Sequence, residues 1–196
     1  MKRIFTAFTL LTLALSGTAQ QRISCTYTAI KKVQAASCSD PAIFVKNSQV
    51  RKQAGRLTIP IAGKPVKVFR DDHADERLRE YAYLGDVKST SFSLVTETGY
   101  NDETFLLVSR STGAVHKLIG PPVFALNMQG LACVNNPGTD KKQEVQVCEI
   151  KNGVVSTRIY LNAKEGVFLT DIVCVYDNAI LAKDSGGKYW RLDFLQ

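Results

Sequence analysis

The chain is poor in the residues from which most soluble active sites are built. Its 196 residues include only two histidines, His73 and His116. These stand in unrelated contexts, and no HExxH or GxSxG motif accompanies them, so neither a metalloprotease helix nor a serine triad is encoded locally. There is no CxxC, which argues against a thioredoxin-type redox site or a zinc knuckle. Gly63-Lys64 is followed by Pro65 and lacks the upstream glycine spacing of a phosphate-binding loop. Basic residues do not gather into a stripe with interleaved aromatics. Lys31-Lys32, Arg51-Lys52 and Lys141-Lys142 come in pairs, with acids between. That distribution argues against nucleic acid as a partner. The net charge of +7 reads as a solvated basic surface with at most mild attraction to acidic polymers or membranes.

Long apolar runs are also scarce. One stands at the start: Lys2 and Arg3, then the uncharged run Ile4 to Ser16, then the small residues Gly17, Thr18 and Ala19. Positive, apolar, small, in that order, is the secretory signal pattern. The run is shorter than the roughly 20 residues needed to cross a bilayer. No later segment is long and apolar enough to span. Cleavage before Gln20 leaves 177 residues and, with Lys2 and Arg3 gone, a net charge of +5. The first cysteine, Cys25, follows Arg22-Ile23-Ser24, a context without the leucine of a lipoprotein site. The chain thus reads as an exported soluble protein, periplasmic or extracellular and not a lipoprotein. Its expected organisation is a signal over 1–19, an N-terminal segment over 20–56 and a β-rich domain over 57–196.

An oxidising compartment permits disulfides. Cys25 and Cys38 flank a short polar loop, and a bond between them would pin the N-terminal end for about 3 kcal/mol. Cys133 and Cys148 flank the turn Asn135-Asn136-Pro137-Gly138 and are the second expected pair, with Cys148 to Cys174 as the alternative. In the first arrangement Cys174 is the odd cysteine, a buried small hydrophobe.

From Leu57 onward short alternating segments are punctuated by Gly, Asn and Pro turns, which predicts an antiparallel all-β fold of hairpins and meanders. Ala62-Gly63-Lys64 turns the first hairpin. Lys151-Asn152-Gly153 turns another, because Asn-Gly suits a two-residue hairpin loop. A turn at Asp177-Asn178 sets Val175 opposite Ile180 and Cys174 opposite Leu181. Asp71 to Tyr83 is the one weakly helical stretch, read as a short helix or an ordered loop, with Tyr81, Tyr83 and Leu84 returning to the core.

The segment from Phe105 to Val134 repeats the rhythm of Val145 to Lys183: strand, glycine turn, strand, gap, apolar strand, polar turn, apolar strand. This is similar to a β-propeller blade, without the Gly-His and Trp-Asp dipeptides of WD repeats. Tyr81-Ala82-Tyr83-Leu84-Gly85 and the stretch Leu106 to Gly113 resemble segments of uncharacterised exported bacterial proteins with propeller-like strand repeats. The resemblance covers about half the mature chain and implies architecture without chemistry. At roughly two and a half blades it implies a partial propeller-like or sandwich-like fold.

Three groups are candidates for function. Asp71, His73 and Asp75 share a face of an extended chain and are candidate metal ligands. The competing reading has Asp71 or Asp72 capping a short helix, with the acids in its first turn. Tyr189 and Trp190 are a candidate aromatic platform for glycans, against the reading that they close the core. Asp184-Ser185-Gly186-Gly187 looks like the segment around a trypsin-type nucleophile but reads as a hairpin turn. His116, between Ala114 and Leu118, is expected to be half-buried. No catalytic residue and no cofactor is assigned. The expectation is a non-enzymatic binding or interaction module of the cell envelope, contacting a protein or envelope component. A small metal-dependent or hydrolytic enzyme using Asp71 to Glu76 and a glycan-binding module are the alternatives.

Overall fold

A computed structural model describes residues 22–23, 25–32, 44–137 and 142–194. The strands of these residues form four sheets, antiparallel except for β1. The first sheet holds β4 (Arg51–Gln53), β5 (Arg56–Ile61) and β6 (Lys64–Arg70). The second holds β3 (Phe44–Val45), β7 (Glu80–Val87), β8 (Phe92–Thr98), β9 (Glu103–Ser109) and β10 (Val115–Leu118), in the order β10-β9-β8-β7-β3. The third holds β1 (Arg22–Ile23), β11 (Val123–Phe124), β12 (Gly130–Val134), β13 (Glu144–Lys151) and β14 (Val154–Asn162), in the order β1-β14-β13-β12-β11. The fourth holds β2 (Thr26–Ile30), β15 (Leu169–Val175), β16 (Ala179–Asp184) and β17 (Tyr189–Asp193), in the order β15-β16-β17-β2.

Side chains alternate across a strand, so each strand can serve two interfaces. On β8 and β9, Phe92, Leu94, Phe105 and Leu107 pack towards Leu131, Cys133 and Cys148 of the third sheet. The intervening Val95, Leu106 and Val108 pack towards Leu57, Ile59, Ile61 and Phe69 of the first. The third sheet turns Ala132, Val145, Val147, Ile159 and Leu161 towards Ile172, Ile180, Leu192 and Phe194 of the fourth. The result is a stack, first on second, second on third, third on fourth. The middle sheets are buried on both faces, which is why Phe105 to Val108 of β9 read as an unbroken apolar run. Among the described residues no core cluster joins the fourth sheet back to the first. The all-β expectation therefore holds, with successive blade-like meanders in an open stack.

The turns fix register. Ile61 faces Lys64 across Ala62-Gly63, and Lys151 faces Val154 across Asn152-Gly153. Both residues of the second loop have positive φ, 53° and 72°, as a primed hairpin turn requires. Val175 faces Ile180 and Cys174 faces Leu181, as the sequence predicts. The charged stretch is not a full helix. It holds one 3-10 turn, Asp75–Arg77, with no side-chain cap, and β7 starts at Glu80. Leu84 does not return to the core: its strand parity turns it outward, and it is exposed.

The expected boundary at residue 56 cuts through a sheet, because β4 pairs with β5. The N-terminal segment is dispersed. Its strands β1, β2, β3 and β4 enter the third, fourth, second and first sheets respectively. β2 lies antiparallel to β17, Thr26 facing Asp193.

The expected disulfides are corrected. Cys25, Cys133 and Cys148 are free thiols. Cys133 faces Gln146, and Cys148 faces Leu131, so the two cysteines are diagonal neighbours. Diagonal Cα atoms lie about 7–8 Å apart, beyond the usual disulfide span of about 4.4–6.8 Å. Cys25 precedes the extended strand β2 and packs at the edge of the core between the third and fourth sheets. Cys174 is not among the free thiols, and Cys38 lies outside the described residues, as do residues 1–19.

Gly85 is the tightest point of the second sheet. It follows a register shift in β7, has φ +155°, and a Cβ there would stand 2.8 Å from Phe44 Cβ. Gly85→Ala is expected to cost about 1–3 kcal/mol and to loosen β3 from β7. Urea denaturation, with hydrogen exchange at Phe44 and Val45, measures both effects.

Candidate functional site

Two features gather polar chemistry. The first is a network between the second and third sheets. His116 projects from β10, the edge strand of its sheet, and its Nε2 lies 3.1 Å from Thr157 Oγ1 and 3.6 Å from Cys148 Sγ. Gln146, 1% exposed, completes the network. Its Nε2 donates to Thr157 Oγ1 at 2.8 Å and to the Lys117 carbonyl at 3.2 Å. Its Oε1 accepts from the Ile119 N–H at 3.0 Å and from Cys133 Sγ at 3.3 Å. A cysteine beside a histidine has the elements of a nucleophile and base. The electrostatics point the other way. Burial pushes the thiols of Cys133 and Cys148 up to about 12 and the His116 imidazole below its ordinary value. Thiol and imidazole are both held neutral, and Cys148 is buried in the core against the second sheet. The network works as a polar joint between two sheets.

The second feature is a recess of about 400 Å³ where β3, the β7–β8 turn and Arg110 meet. Its floor is Asp86, a carboxylate that is 7% exposed on β7. Asp86 accepts from Ser93 Oγ at 2.5 Å, Tyr83 Oη at 2.8 Å and Asn47 Nδ2 at 2.9 Å, and Arg110 Nη1 stands 3.3 Å away. A buried carboxylate persists only with such partners. Burial, reinforced by the Asp86 hydrogen bond and charge, pushes Tyr83 up to about 12, so the phenol stays a donor. Arg110 also donates to the Thr90 carbonyl at 2.8 Å, which fixes the turn. Lys46, Asn47, Ser48, Lys88 and Ser89 line the rim. One carboxylate against Lys46, Lys88 and Arg110 leaves the recess cationic. Ser89 holds φ +62°, a strained conformation for a residue other than glycine. A smaller cavity of about 350 Å³ is lined by Cys25, Tyr27, Asn162 and Lys164. Burial raises the Cys25 thiol above its ordinary value, so it too is held protonated.

The sequence candidates are dispersed. Asp71 pairs with Lys52 at 2.7 Å and accepts the Tyr81 N–H at 2.9 Å. Burial opposes its ionisation, but these partners outweigh it and hold the carboxyl below its ordinary value. His73 is exposed beside Glu80 at 3.7 Å, and Asp72 stands 3.6 Å from Arg77. Asp75 opens the 3-10 turn. Among the described residues, no three His, Cys, Asp or Glu side chains are grouped as a metal would need. Trp190 is buried in the core between the third and fourth sheets, with Lys188 Nζ 4.2 Å and Lys164 Nζ 5.5 Å from its ring centre. Its indole donates to Asp184 at 2.8 Å, so the ring closes the core and offers no open platform; Tyr189 beside it is half-buried. The Asp184 to Gly187 segment is a hairpin turn: Asp184 N–H donates to the Lys188 carbonyl, and Asp184 accepts the Lys188 N–H. His116 is half-buried, as expected, but its cysteine neighbour lies 32 residues away in the chain and was not foreseen. The recess was missed too. Its only local signal is an aspartate in an apolar strand end, Asp86 before Val87.

Gln146→Leu should leave the Ile119 N–H and the Lys117 carbonyl without partners and cost about 3 kcal/mol in chemical denaturation. His116 has a lowered folded-state pKa, so the unfolded chain takes up the proton first. Its contribution is present above the unfolded value of 6.5 and is lost as pH falls below it. Midpoint measurements should therefore show stability falling below about pH 6.5, with a shallower fall in His116→Gln. No protein-family model, curated protein or solved structure matches this chain.

Proposed function

We propose that the protein is an exported, non-enzymatic interaction module of the cell envelope that acts by holding a protein or envelope component. The observation that carries the reading is the recess over Asp86. Its walls are fixed by hydrogen bonds that converge on one buried carboxylate, while Lys46 and Lys88 remain exposed at its rim. A rigid polar floor beneath exposed cations suits capture of an acidic group on a larger partner. The Cys148 and His116 pair, the best nucleophile and base arrangement in the described residues, is neutral and enclosed, which favours contact over turnover. The signal pattern at the N-terminus and the strand rhythm shared with exported propeller-like proteins agree with an envelope address.

The test is retention from envelope extracts on immobilised mature protein. A retained component, lost roughly tenfold or more in Lys46→Glu/Lys88→Glu, is the expected result. A strictly monomeric protein with no retained partner, or retention that ignores the charge reversal, overturns the reading.

A further inference from the structure

Among the described residues no layer covers the outer face of the first sheet. Leu57, Ile59, Ile61 and Phe69 are turned inward to the second sheet. By parity the other side carries Arg51, Gln53, Arg56, Thr58, Val68 and Arg70. Directly opposed residues share a face, and the registers are Gln53 to Arg56, Arg56 to Arg70, Arg51 to Thr58, and Thr58 to Val68. Arg56 and Arg70 are therefore neighbours across one ladder, with Cα atoms about 4.5–5.5 Å apart. Arg51, opposite Thr58, is the diagonal neighbour of Arg56 on the other side of β5. All three are exposed.

Like charges placed directly opposite each other destabilise a sheet. Here nothing offsets them. Arg51, Arg56 and Arg70 enter no ion pair and no side-chain hydrogen bond among the described residues. The following acids are spent elsewhere: Asp71 lies on the inner side against Lys52, and Asp72 is beside Arg77. No acid stands on the outer face of β4, β5 or β6.

We infer that this face adsorbs the protein to an anionic phospholipid surface through phosphate contacts of Arg51, Arg56 and Arg70. Guanidinium groups match phosphate oxygens in a two-pronged geometry, and adjacent headgroups supply several anions at the spacing that neighbouring arginines need. A specific protein partner would use apolar or aromatic anchors in the centre of its contact. The apolar side chains of this face are Val66, Val68 and Pro60, set among three arginines, Gln53 and Thr58. It has no large aromatic to insert, so the contact is peripheral. The face is separate from the recess over Asp86, and the inference goes beyond the function proposed for that recess.

Vesicle co-sedimentation of the mature protein tests it. Vesicles rich in phosphatidylglycerol should bind it at about 50 mM salt and release it at about 0.5 M, and phosphatidylcholine vesicles should not bind it. Arg51→Gln/Arg56→Gln/Arg70→Gln should lower partition about fivefold per arginine, on the order of 100-fold in total. Lys117→Gln/Lys142→Gln/Lys151→Gln removes the same charge elsewhere and should change it far less. Equal losses in the two triple variants overturn the inference in favour of net charge alone. No binding to anionic vesicles at low salt also overturns it, as does retention on a sulfated polysaccharide without vesicle binding. Retention from envelope extracts, unchanged in the arginine variant, keeps the two proposals distinguishable.

Discussion

The stack depends on amide side chains that stand in for missing strands. β13 lies between two neighbouring sheets and carries a glutamine towards one and has another just before it towards the other. Gln146 reaches the second sheet, where it meets the Lys117 carbonyl and the Ile119 N–H. Gln143 reaches the fourth, where its Nε2 donates to the Leu169 carbonyl at 2.8 Å and its Oε1 accepts the Leu169 N–H at 2.7 Å. Each amide satisfies a strand-edge donor and acceptor as a paired backbone would. Both glutamines are buried, so these bonds form away from competing water. Hydrophobic packing between sheets is non-directional. The glutamines add direction, and so they fix where one sheet lies along the next.

The same logic explains why the two polar features differ. At the joint around Gln146 every strong partner faces inward, and burial drives cysteine and histidine to their neutral forms. At Asp86 the partners also converge, but the surrounding turn leaves cations at its rim. One arrangement stabilises the fold, and the other leaves a charged surface for a partner. Both draw on distant parts of the chain, His116 meeting Cys148 across stacked sheets and Asn47 and Arg110 meeting Asp86 around one sheet.

That separation sets how much was legible in the sequence. Hairpins were legible because their turn chemistry is local: Asn152-Gly153 and Asp177-Asn178 fixed their registers unaided. The all-β class followed from alternation. Candidate sites were not legible in the same way. Asp71, His73 and Asp75 lie close in sequence, yet Asp71 turns inward to Lys52, His73 stands exposed beside Glu80 and Asp75 opens a 3-10 turn. Cys133 and Cys148 flank a real hairpin loop, but its register leaves them two positions off. His116 and Cys148 meet only because two sheets stack, and no periodicity within either strand records that.

The dispersal of the first strands has a consequence in time. β2 is made long before its partner β17. The edge strand β2 therefore waits without a partner, because β15, β16 and β17 all follow far behind it. Contacts this distant in sequence are slow to form, because the loop between them must close first. A chain emerging from its N-terminal side carries β2 as an unpaired strand until β17 arrives, and β17 acts as the latch that ends that interval.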